Sequence, residues 1–109
     1  MIKLAIRKVK PGEEHYLRAW MTQLNSRHAE VRATFQQEGV RHEQAFLLNL
    51  ADGPVLVYAV EASDHERAAA AYAQSTLPID LEHKRIMRQV LGEAVPCELL
   101  YECRAETAF

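Results

Sequence analysis

Apolar and polar residues alternate from Ile2 to Val9, then apolar residues recur every three or four positions from Glu13 to Glu38. That switch of period predicts a strand followed by a long helix. Ile2, Leu4 and Ile6 share one strand face, and Lys3 and Arg7 the other. Lys10-Pro11-Gly12 breaks the strand, and Glu13 and Glu14 stand at the helix start, where the dipole favours negative charge. The stripe Leu17, Trp20, Leu24, His28, Val31 and Phe35 is the expected buried face, and Gly39 the expected stop. Val40 to Leu50 reads as a second strand, with Phe46, Leu48 and Leu50 on one face and Arg41, Glu43 and Asn49 opposite. Ala51-Asp52-Gly53-Pro54 is a hairpin turn. Val55 to Val60 does not alternate; it is apolar on both faces, as a central strand buried on both sides should be. Ser63-Asp64-His65-Glu66 has the form of a capping box and opens a second helical region, Asp64 to Glu93, rich in alanine from Ala68 to Ala73. Thr76-Leu77-Pro78 interrupts it, Asp80 is the expected new cap, and Ile79, His83, Ile86, Met87, Val90 and Leu91 form a second stripe. Gly92 and Pro96 bracket the exit, and Cys97 to Arg104 alternates as a closing strand.

The resulting order is β-α-β-β-α-β, the split βαβ or ferredoxin-like plan. It predicts an α+β domain spanning residues 1–109, with a four-stranded antiparallel sheet of order 4-1-3-2 and helices on one face. Something must then cover the bare face. The doubly apolar run Val55–Val60 predicts that the cover is a second copy of the chain, a homodimer formed through the sheet faces.

Composition narrows the classes. A length of 109 residues allows one core, and a net charge of −2 with no basic stripe argues against nucleic acid as a partner. No apolar run approaches the ~20 residues of a membrane-spanning helix, so no membrane partner is expected. The start Met1-Ile2-Lys3-Leu4 lacks signal-peptide architecture, which predicts a cytoplasmic protein. Cys97 and Cys103 lie on one predicted strand, about 20 Å apart, too far for a disulfide. Each is expected to pack as a small buried hydrophobe. No C-x-x-C or compact Cys/His spacing predicts a metal site, and no cofactor motif is present.

Two histidines fall on the apolar stripes, His28 on the first helix and His83 on the last. If both helices cover one sheet face, the imidazoles line one cavity and supply acid or base near neutral pH. Asp80, one turn before His83, is placed to orient it, and Arg32 beside His28 to bind a carboxylate or phosphate. Trp20 and Tyr58 complete the expected lining of a pocket between helices and sheet. The plainer reading is that both histidines are satisfied structural groups, with Trp20 and Tyr58 as packing anchors and Arg32 on a solvated face.

The Lys10-Pro11-Gly12 turn after a first strand resembles that of the dimeric α/β-barrel superfamily, whose members pair two ferredoxin-like sheets face to face. Ser75-Thr76-Leu77-Pro78-Ile79-Asp80-Leu81-Glu82-His83 resembles a segment of a small family of uncharacterised bacterial proteins of about this length. Trp20-Met21, Leu24-Asn25 and Glu38-Gly39-Val40 are similar too. The superfamily includes cofactor-independent monooxygenases and muconolactone isomerase-like proteins. The resemblance implies a small-organic-molecule binder or a cofactor-independent, monooxygenase- or isomerase-like enzyme; no residue set shared by those enzymes maps onto this chain, and the acid/base of an enzyme would be His83 or His28 on the strength of their places on the stripes. The alternative, from another class, is a non-catalytic homodimerisation module with structural histidines.

Overall fold

The computed structural model describes residues 1–106. Strand β1 (Ile2–Val9) leads through the Pro11-Gly12 turn into helices α1 (Glu14–Ser26) and α2 (His28–Glu38). The hairpin β2 (Val40–Leu50) and β3 (Gly53–Ala62) follows, then α3 (His65–Gln74), α4 (Pro78–Val90) and β4 (Leu91–Val95). All pairings in the sheet are antiparallel, and its order is β2-β3-β1-β4, the expected 4-1-3-2 seen from the other edge.

Residues opposite one another in an antiparallel ladder share a face, so the register sorts the side chains. Leu56 and Tyr58 of β3 lie under the helices, with Glu43 and Leu47 of β2 on the same side. Leu56 joins Val9, Leu17, Val90 and Leu91 in the core. Val55, Leu56 and Val57 are all buried, as a central strand requires. Ile2, Leu4, Phe46 and Leu48 point to the other face and are exposed at 61%, 43%, 48% and 46%. That apolar face carries no helix.

Four local expectations are corrected. The first helical pattern is two helices, broken at Arg27, whose φ of −124° and ψ of 40° are not helical. The cap of α3 is Asp64 rather than Ser63: its carboxylate accepts from the Arg67 amide at 3.0 Å. The cap of α4 is Leu77, with Pro78 in the first turn where a missing amide costs nothing; Asp80 lies in that first turn. Last, the closing strand is Leu91–Val95, entered directly from α4, and Cys97–Arg104 belongs to no strand. Its alternation is real, but a strand needs a partner, and Pro96 has no amide to continue the ladder. Cys97 and Cys103 are therefore free and exposed, not buried.

Candidate functional site

The polar groups that the fold gathers lie between the helices and β3. Helix α1 buries Trp20, only 1% exposed, and aims its indole at α4. There Trp20 Nε1–H donates to His83 Nδ1 at 2.8 Å. An indole nitrogen can only donate, so Nδ1 is the acceptor and the imidazole proton resides on Nε2. Tyr58 Oη sits 3.4 Å from Nε2, a long contact in which Nε2–H is the donor. The Tyr58 hydroxyl proton is then left for another acceptor. Tyr58 and Tyr72 stand edge-on to the imidazole, each with its ring centroid 6.0 Å away. Burial pushes His83 down to about 4, and the nearby Asp80 charge opposes this only in part. The imidazole is neutral at pH 7.

Three carboxylates gather beside it. Asp80 is 5% exposed, and its Oδ2 has no hydrogen-bond partner among the described residues. A buried acceptor without a partner costs about 1–3 kcal/mol, so this oxygen is the least satisfied polar atom in the neighbourhood. Glu38, at the end of α2, is pushed up to about 7 by burial and then by the Asp80 charge. Glu43 of β2 is raised by the same two causes in the same order, although part of its side chain reaches solvent. Burial also raises the hydroxyls of Tyr58 and Tyr72. Lys84 stands near: its ammonium donates to the carbonyls of Ala73 and Ser75 at 3.2 and 3.3 Å and lies 5.0 Å over the Tyr72 ring.

Arg27 closes the opposite side. The break between α1 and α2 puts its guanidinium 5.8 Å from the Trp20 ring centroid. From there it donates to Glu30 at 2.7 Å and to Glu82 at 2.8 Å, tying α2 to α4.

Of the residues singled out in the sequence, Trp20 and Tyr58 meet His83, whereas Asp80 reaches it through its charge alone; no hydrogen bond joins Asp80 to His83 among the described residues, and the orienting role expected of Asp80 falls to Trp20. His28 and Arg32 do not meet His83. With the helix broken at Arg27, His28 opens α2 on an exposed position, and Arg32 is exposed as well. Neither hydrogen-bonds to the cluster among the described residues. Pattern reasoning passed over Tyr72, Glu38 and Glu43 as site residues. Tyr72 had a signal, as the one large ring in an alanine-rich helix; Glu38 and Glu43 had none, because their surroundings come from α3 and α4. Among the described residues no three His, Cys, Asp or Glu side chains are placed to hold one metal ion, the carboxylates beside His83 included. The concavity the structure shows, about 260 Å³, opens on the bare sheet face rather than between helices and sheet where the pocket is expected; it is lined by Ile2, His42, Gln44, Ala59 and Glu61 and by none of the residues around His83.

A family model described as a family of unknown function, DUF6176, matches residues 1–107. The chain belongs to DUF6176. No curated protein and no solved structure matches it. For this DUF6176 chain the cluster around His83 is thus the chemistry to explain, since the family description assigns none.

Proposed function

We propose that this DUF6176 chain binds a small polar organic molecule at the Asp80–His83–Tyr58 cluster and works as a homodimer in the manner of a dimeric α/β barrel. The observation that carries the reading is the buried, partnerless Asp80 oxygen beside an imidazole whose tautomer Trp20 has fixed. A ligand hydroxyl or amine donates to Asp80, and the Tyr58 hydroxyl proton goes to a ligand acceptor. Where the ligand is also a substrate, Glu38, held near 7, is the proton acceptor best matched to neutral pH. The two crossovers on one face of an antiparallel sheet support the ferredoxin-like plan, and the exposed apolar face supports pairing with a second sheet. The exposed free thiols Cys97 and Cys103 suit a reducing compartment such as the cytoplasm.

Native mass spectrometry of the protein as isolated from cells tests the site. The expected result is a small bound mass that Asp80→Asn and Tyr58→Phe each release while the far-UV circular dichroism spectrum holds. A different result favours a second reading, in which the chain is a dimerisation module without a ligand. There neither variant changes any bound species, and the imidazole serves the fold alone: His83→Leu, which leaves the buried indole N–H without an acceptor, lowers stability by about 1–3 kcal/mol. The Trp20–His83 bond, a structural use of the imidazole, is the observation favouring that second reading.

A further inference from the structure

Beyond Val95 the chain runs on as an arm outside the hydrogen-bonded sheet, with the Arg104 charge reaching back to Glu61. Cys97–Glu106 belongs to no helix or strand and is exposed throughout. Among the described residues no backbone hydrogen bond ties it to the rest of the chain. Yet its sequence is that of a strand: Cys97, Leu99, Tyr101 and Cys103 alternate with Glu98, Leu100, Glu102 and Arg104. Leu99, Leu100 and Tyr101 are 63%, 85% and 81% exposed. An exposed segment with strand periodicity, large apolar side chains and unpaired backbone groups is a ready template for pairing with another strand.

The sheet offers the matching vacancy. Among the described residues β2 pairs with β3 on one side and with no strand on the other, so its outer edge is open over Val40–Leu50. The open edge of β4 is far shorter, Leu91–Val95. Phe46, Leu48 and Leu50, at 48%, 46% and 55% exposed, lie along β2 on the helix-free face. The arm's eight-residue alternating stretch is short enough to pair within β2's 11 residues.

We propose that the arm Cys97–Arg104 of each copy adds as a fifth strand to the outer edge of β2 in a second copy, so that two arms are exchanged across a two-fold axis. This deepens the homodimer reading above and rests on it. The occupant is a second copy because the arm and the edge it fits are on the same chain, the self-complementarity an isologous interface needs. Both halves of such an interface expose large apolar side chains, Leu99, Leu100 and Tyr101 on the arm and Phe46, Leu48 and Leu50 along β2. Exchange also caps the edge strand that would otherwise invite open-ended aggregation.

Hydrogen exchange of the full chain, read by mass spectrometry beside light scattering, tests this. The expected result is a dimer in which amides of 97–104 and the outward amides of 40–50 are slowed at least ~100-fold. Both protections vanish together as dilution produces monomers. Leu100→Pro, which deletes an arm amide, is expected to weaken dimerisation at least tenfold with circular dichroism and Trp20 fluorescence unchanged. A dimer with a freely exchanging arm overturns the exchange and leaves the face-to-face dimer standing. Arm protection that survives dilution, or that is not shared by β2, also overturns it. A monomer at all concentrations overturns both readings.

Discussion

Trp20 holds His83 in one tautomer because the indole offers a donor and nothing else. Protonating Nδ1 would set two N–H groups against each other, which acts with burial to keep the imidazole neutral. Trp20→Phe removes that opposition, and the His83 pKa is expected to rise from about 4 toward its ordinary 6.5, followed by NMR titration of the ring protons. Stability links to the same groups, with opposite signs. His83 has a folded pKa below its unfolded one, so its contribution is complete above pH 6.5 and lost as the pH falls toward 4. Glu38 is raised from 4.5 to about 7, so its contribution is complete below pH 4.5 and lost as the pH rises through 7. The two slopes oppose each other between pH 4.5 and 6.5, where these two groups together leave stability nearly flat. Glu38→Gln, neutral at every pH, leaves the His83 slope alone. Denaturant titrations should show its stability climbing from pH 4 to 6.5, and exceeding the parent by on the order of 1 kcal/mol above pH 7.

At the scale of elements, the punctuation marks were the legible part. Gly39 ends α2 in the left-handed region at φ 73°, with its amide on Phe35 O at 2.8 Å. A Cβ there meets no atom within 4 Å, so a substitution strains the backbone and nothing else. Gly39→Ala should therefore lower stability by about 1 kcal/mol, and Gly39→Asn by less, in urea unfolding. Pro11-Gly12 and Asp52-Gly53 were equally readable, with φ of 80° at Gly12 and 119° at Gly53. The break at Arg27 was not. No Gly or Pro marks it, and the apolar period runs on across it; the Arg27 side chain at the break pairs with Glu30 nearby and with Glu82 of α4, a long-range partner that no local pattern encodes. That one event carried His28 out of the predicted cavity. The last strand failed for a related reason: alternation reports which residues would share a face, whereas pairing with β1 decides which residues are a strand. Trp20 and Tyr58 lie against His83 because two helical stripes and a central strand fix their faces. The Asp80 charge acts on Glu38 and Glu43 across elements, and the sequence holds no spacing that joins the three.

The whole molecule presents a sheet with one covered and one bare face, and the energetic weight lies on the bare one. Phe46 and Leu48 flank buried Val57 and Val55 in register, so the apolar surface is continuous from β2 toward Ile6 of β1. Burying an aromatic side chain of this kind contributes about 1.5–3 kcal/mol, whereas enclosing an unpaired charge costs several. In a two-fold interface every substitution occurs twice. Phe46→Glu is thus expected to weaken dimerisation by more than ~100-fold, since each 1.4 kcal/mol is a factor of ten. The monomer itself should keep its fold, because Phe46 is already half exposed there and touches none of the core residues under the helices. Sedimentation velocity at micromolar concentration reads the outcome beside far-UV circular dichroism. A monomeric Phe46→Glu with an unchanged spectrum places the interface on this face. An unchanged dimer places it elsewhere, and the exposed apolar surface then needs a different partner.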